Sequence, residues 1–296
     1  AADGVTPLDG NTNNKAIWST MKYTDNLAFL LKKGWQTMTD PVYGDQLIYK
    51  TYKLQNSNIE TPAFTQEYNI NMNGGNDKGN YYAGVGYVDS KGNATGNWYK
   101  RINFTFNGDY KIKPWLTSSS SFNFTDTKWY GYGEKAASNI YFTRVFSLPP
   151  TFRGTNENGD YIVTGRGGGD GNVLMYLNSL QRDNNTDKFT MNQAFTFDLY
   201  KGLTLKTTAN WYYQDTKYES FTRDYLTNVN TYYKNRDSSD SYERVLKQTY
   251  NAVLNYQNTF AKDHFVDAMV GMEYYDNYTK GFSASGYGAT ADDFQD

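Results

Sequence analysis

His264 is the only histidine of this chain, and there is no cysteine. A thiol nucleophile, a thiolate metal ligand and a disulfide are therefore excluded. A Ser-His-Asp relay or a histidine metal site would have to use His264. It sits in the short polar connection AKDHF, without the positioned partners such chemistry needs. The 31 acidic residues include no pair placed for glycoside hydrolysis. GRGGGDG (165–171) invites a phosphate or calcium reading. A phosphate loop needs a preceding strand, a following helix and a Lys-Ser/Thr pair, and none is present. Asp160 and Asp170 are too few oxygen ligands for calcium. The residues predict no catalytic constellation, no metal and no cofactor, so the chain is not expected to be an enzyme.

Binding chemistry is a different matter. Trp129, Tyr130, Tyr132 and Tyr141 crowd one end of a strand and the loop after it, and Arg166 stands further along that loop. Aromatic faces stack on sugar rings or peptide side chains, while nearby polar groups fix orientation. These five residues are the candidate substrate contacts. The competing reading is an interfacial aromatic girdle or simple loop packing.

The elements that would position them follow from composition and period. Aromatics reach 18%, yet mean hydropathy is −0.79. That combination is expected where apolar and polar residues alternate between two different surroundings. A net charge of −2 supplies no basic field for nucleic acid. No run of about 18 apolar residues exists, so no transmembrane helix is predicted. The opening AADGVTPLDGNTNN has no signal-peptide pattern. Together with an ending in TADDFQD, this leads to the expectation of a processed chain or a fragment.

Residues 24–33 read as a short helix, with Asp25 as a cap and Gly34 as a stop. From residue 66 the chain alternates. Tyr68, Ile70 and Met72 oppose Asn69, Asn71 and Asn73; Ile102, Phe104 and Phe106 oppose Arg101, Asn103 and Thr105. The pattern recurs in about eight strands of about 8–12 residues, a length suited to crossing a bilayer at a tilt. Connections alternate short and long, the longest being 127–188 and 216–245, with a further loop from Asp276. Membrane barrels show this alternation, with short periplasmic turns and long extracellular loops. Tyr81, Trp98, Tyr99, Trp211, Tyr213 and Tyr274 crowd the expected strand ends, as interfacial girdles do. The glycines of NGGNDKG (73–79) are expected to supply positive φ in a tight turn.

The run QEYNINMNGGNDKGNYYAGVGYVDSKGNATGNWYKRINFTFNGDYKIKPWL (66–116) resembles the SusC/RagA class of TonB-dependent transporters of Bacteroidetes outer membranes. The likeness rests on Asn73–Asn76, Tyr81–Asp89, Tyr99–Asn103 and Asn107–Trp115. KKGWQTMTDPVYGDQLIYK (32–50) and NTFAKDHFVDAMVGMEYY (258–275) extend it. The resemblance implies an all-β, transmembrane antiparallel barrel, of which this chain supplies about eight of about 22 strands. Residues 1–65 would be an irregular segment at the barrel start, and residues 66–296 the strands and loops. The plug and the TonB-contacting segment of the family are not in this chain.

The implied function is TonB-dependent import of an oligosaccharide or peptide across the bacterial outer membrane. The implied partners are a SusD-like surface lipoprotein, TonB acting through the plug, and outer-membrane lipid. Three other readings stay open at this point. Eight strands can close alone, a passive porin shares the pattern, and a soluble glycan-binding β protein would also carry surface aromatics.

Overall fold

A computed structural model of the chain describes residues 19–53, 58–131, 150–155, 178–228 and 231–292. Its first part is a small unit. Strands β1 (Thr20–Lys22), β2 (Gln36–Thr39) and β3 (Gln46–Tyr49) form a sheet of order β1-β3-β2. A 3-10 helix, Asp25–Lys33, connects β1 to β2. It begins where expected, but Asp25 is not its cap. Thr24 occupies that position and makes no side-chain capping bond, so the first turn closes on backbone alone, through Leu27 N–H to Thr24 C=O. Gly34 ends it at φ 81°, a left-handed conformation that glycine adopts without a Cβ penalty. Met21, Leu30, Trp35 and Ile48 make the unit's core. Ser19 and Tyr52 N–H groups tie it to Thr151 and Pro150.

The rest is one antiparallel sheet of eight strands: β4 (Thr65–Asn76), β5 (Gly79–Lys91), β6 (Trp98–Lys113), β7 (Leu116–Tyr130), β8 (Leu180–Tyr200), β9 (Leu203–Thr222), β12 (Ser238–Phe260) and β13 (His264–Gly286). A hairpin of β10 (Tyr225–Asn228) and β11 (Thr231–Tyr233) lies between β9 and β12. Neighbours in sequence are neighbours in space, in the order β13-β12-β9-β8-β7-β6-β5-β4. The sheet is open, because β4 and β13 are its two edges and do not pair with each other. A self-closed eight-strand barrel is not what this chain forms.

Every short connection falls at one end of the sheet: Asn76 to Gly79, Lys113 to Leu116, Tyr200 to Leu203 and Phe260 to His264. The other end carries the connections 92–97, 131–179 and 223–237. The alternation read from the sequence is therefore real, but the strands outrun it. β7 continues to Tyr130 and β8 starts at Leu180, so the longest connection is shorter than 127–188. β9 and β12 run into the expected loop 216–245, and β13 carries on past Asp276 to Gly286. In consequence Trp211, Tyr213 and Tyr274 lie inside long strands rather than at their ends.

The first turn also differs from expectation. Its central residues are Asp77 and Lys78, and the Lys78 N–H donates to Asn76 Oδ1. Gly74, Gly75 and Gly79 are strand residues and none has positive φ. Space is what they supply: a Cβ on Gly79 would stand 2.3 Å from the Asp109 carbonyl oxygen.

Register places the alternation on two continuous faces. One joins Ile70, Val85, Phe104, Phe124, Phe189, Tyr213 and Leu246 across seven strands. The other joins Asn71, Gly84, Thr105, Asn123, Thr190 and Tyr212. The apolar face has no protein over it. Ile70 is 80% exposed and Met272 73% exposed. Such a face is stable where its surroundings are themselves apolar.

Candidate ligand-binding site at the long-loop end

Adjacent residues on a strand point to opposite faces, and this separates two of the candidate contacts. Trp129 falls on the polar face and Tyr130 on the apolar one. The Tyr130 hydroxyl donates to the Leu180 carbonyl at 3.2 Å, fastening β7 to the start of β8. Tyr132, Tyr141 and Arg166 lie outside the described residues, as does the GRGGGDG run.

Trp129 has company that the sequence did not single out. Register aligns Tyr99, Trp129, Asn184 and Tyr218 in one row across β6, β7, β8 and β9. The Trp129 and Tyr218 rings meet edge to face at 6.0 Å between centroids and 86° between planes. Asn184 is buried between them and donates from Nδ2 to the Trp129 carbonyl at 3.0 Å. That bond spends the amide on the wall and leaves the rings as the exposed chemistry. One step toward the turns, the row holds Arg101, Thr127, Thr186 and Thr216. Thr186 and Thr216 are buried and hydrogen-bonded hydroxyl to hydroxyl at 3.3 Å. The Nε of Arg101 is buried and without a partner among the described residues. The site is thus an aromatic shelf above a hydrogen-bond donor, on the polar face, beside the long connections.

Beyond it stands an ionic knot. Arg236, at φ 46°, reaches Asp224 at 2.8 Å and Asp292 at 2.8 Å, and donates to the Ala289 carbonyl at 3.3 Å. The Asp224 N–H donates to Asp292 Oδ1 at 3.2 Å and Arg223 Nε to the Asp292 carbonyl at 3.1 Å. Three segments are joined here: the exit of β9, the entry of β12 and the chain after β13. The Arg236 guanidinium, with the Asp224 N–H, holds the Asp292 carboxyl below its ordinary range, and Asp292 in turn raises Arg236. His264, the sole histidine, is exposed at the turn end and pairs with Phe260.

No protein-family model matches the chain. It is 23% identical over 215 residues, 72% of its own length, to TonB-dependent receptor P39 of Formosa agariphila. In structure it is similar to the RagAB peptide importer. In the "closed-closed" state the TM-score is 0.65 with 19% identity, over 81% of this chain and 27% of the other. In the "open-open" state these are 0.66, 20%, 79% and 26%. The chain spans 20% of the length of the receptor it matches and about a quarter of the importer chain. The proteins it is similar to are a receptor and an importer, not enzymes. The fold is that of part of the RagAB peptide importer, over about a quarter of that chain.

Proposed function

We propose that this chain forms part of the barrel wall of a TonB-dependent outer-membrane transporter that imports an oligosaccharide or a peptide. The observation that carries the reading is the sheet itself: one uncovered apolar face, one polar face, and every tight turn at the same end. A soluble protein has no use for such a face, and a bilayer requires one. The two open edges call for further strands, since unpaired backbone does not persist in lipid. With the edges paired, the polar face lines the lumen and meets a plug and the passing substrate. The shelf of Tyr99, Trp129 and Tyr218 then stands at the extracellular mouth, with Tyr132, Tyr141 and Arg166 contributed by the connection that follows. A SusD-like surface lipoprotein covers that mouth, and TonB acts through the plug. The chain's own residues bind and guide; no bond is made or broken.

This chain's lack of cysteine allows a labelling test, with any cysteine elsewhere in the full-length protein replaced by serine. In cells carrying the full-length protein, Lys234→Cys in the long-loop end should react with a membrane-impermeant maleimide from outside. Lys78→Cys in the first tight turn should react only after the outer membrane is permeabilised. Equal labelling of both positions in intact cells would overturn the topology and favour a soluble or surface-bound β protein.

A further inference from the structure

The apolar face has a polar break. On this face β7 presents Phe124, Phe122, Ser120, Ser118 and Leu116 in order, and β8 presents Phe189, Met191, Gln193, Phe195 and Phe197. The two serines and the glutamine therefore interrupt the apolar run near its turn end. They are tied together. The Ser120 hydroxyl donates to Gln193 Oε1 at 2.6 Å, and Gln193 Nε2 donates to Ser118 Oγ at 2.9 Å. Ser118 thus accepts, and its own O–H has no acceptor among the described residues. Beside this cluster is a notch lined by Tyr81, Phe106, Tyr110, Ser118 and Ser120. Gly74 and Gly108 let its rings lie flat on the wall, Tyr81 over Gly74 and Phe106 over Gly108. The Tyr81 and Tyr110 hydroxyls also have no protein acceptor among the described residues. A hydroxyl donor facing hydrocarbon is costly unless something amphipathic meets it.

We propose that the notch is a binding site for one anionic diacyl phospholipid of the leaflet at the turn end. The inference rests on the outer-membrane reading above. The ester carbonyls of the lipid accept from Ser118 and from the tyrosine hydroxyls. An acyl chain lies against the Tyr81 and Phe106 rings, which cover Gly74 and Gly108. Ser118 stands two residues from the end of β7, about 7 Å along the strand, comparable to the reach from ester carbonyls to phosphate. Lys78 and Lys113 occupy the turns there, are exposed, and have no ion-pair partner among the described residues. They supply the positive charge that a phosphate with an uncharged headgroup, such as phosphatidylglycerol, selects over a zwitterionic lipid.

The test uses the full-length transporter purified from outer membranes and equilibrated in detergent with equal phosphatidylglycerol and phosphatidylethanolamine. Lipid retained per protein is counted by native mass spectrometry. Wild type should hold one phosphatidylglycerol. Ser118→Val with Ser120→Val, and separately Lys78→Glu with Lys113→Glu, should each reduce that retention at least tenfold. Phe189→Val, on the same face away from the notch, should not. Valine suits a strand, and heat-modifiable migration on a gel reports that each barrel has closed. Retention unchanged in both double variants, or absent from wild type, overturns the site. Failure to recover the wild-type protein from outer membranes overturns the reading beneath it, and the site with it.

Discussion

Arg244 on β12 faces Asp215 on β9 in register, and its guanidinium fork donates to both carboxylate oxygens at 2.9 Å. The rings of Tyr213 and Tyr242 flank it at 5.3 and 5.6 Å. The pair stands on the apolar face, one step above Tyr213 and Leu246, where the apolar residues begin. Arg244→Lys keeps the charge and loses both the fork and the ring contacts. The Arg244 side chain is 46% exposed, so solvent screens much of the pair and the loss is small. A slightly lower temperature for the loss of heat-modifiable migration is expected. An unchanged temperature would mean the pair contributes nothing to the wall.

The separation of Trp129 from Tyr130 yields a comparison between neighbours. Trp129→Ala and Tyr218→Ala each remove one ring of the aromatic shelf, and about a tenfold weaker affinity for the imported ligand is expected from each, roughly 1.4 kcal/mol. Tyr130→Phe removes the hydroxyl that donates to Leu180, on the opposite face, and should leave affinity alone. Binding isotherms on the three full-length variants decide it. A Tyr130 effect as large as that of Trp129 would remove the shelf from the site.

The ionic knot has a pH dependence with a definite sign. Asp292 has a folded value below its ordinary 3.8 because Arg236 and the Asp224 N–H favour its charged form. A carboxylate lowered in this way stabilises the fold above the ordinary value, and that contribution is lost as pH falls through the lowered one. Amide protection in residues 287–292, taken relative to the intrinsic exchange rate at each pH, should therefore be high near neutrality and fall below about pH 4, and Asp292→Asn should remove that pH dependence. Exchange that is already fast at neutral pH would show that the knot does not hold the segment.

Two glycines with nearly the same backbone angle separate strain from crowding. Gly202, in the turn from β8 to β9, has φ 77°, and a Cβ there would meet the Gln257 carbonyl oxygen at 2.0 Å. Gly44 has φ 73° and nothing within 4 Å. Gly44→Ala should cost about 1 kcal/mol of backbone strain and no more. Gly202→Ala adds a backbone clash that displaces β12 from the turn, so a marked drop of folded protein in the outer membrane is expected. Similar yields of the two variants, measured by blotting membrane fractions, would contradict the close approach.

The strand count, the two faces and the placement of tight turns were legible because period-two alternation survives wherever one face meets lipid. It fades where both faces meet water, which is why the outer parts of β7, β8, β9, β12 and β13 read as loop. Lys217, Glu219 and Ser241 carry no alternation to notice. The row of Tyr99, Trp129, Asn184 and Tyr218 was hidden for a different reason. A tight turn fixes register between its own two strands, as at Lys201–Gly202. The connection between β7 and β8 is far too long to do so, and nothing local says that Trp129 faces Asn184. The glycines of NGGNDKG were misassigned because glycine has two uses. Their spacing suggests the first, positive φ, and only the neighbouring strand reveals the second, room for Asp109 and for the Tyr81 ring over Gly74.

The unequal overrun of the strands shapes the mouth. β4 to β7 end five or six residues past Ile70, Val85, Phe104 and Phe124, whereas β8 and β9 continue nine residues past Phe189 and Tyr213 of the same row, about 10 Å further along the strand. The rim steps up between β7 and β8 and stays high through β13. A cover seated on it would rest at a slant, with its leverage on the tall side, where Arg236 already knots three segments into one abutment.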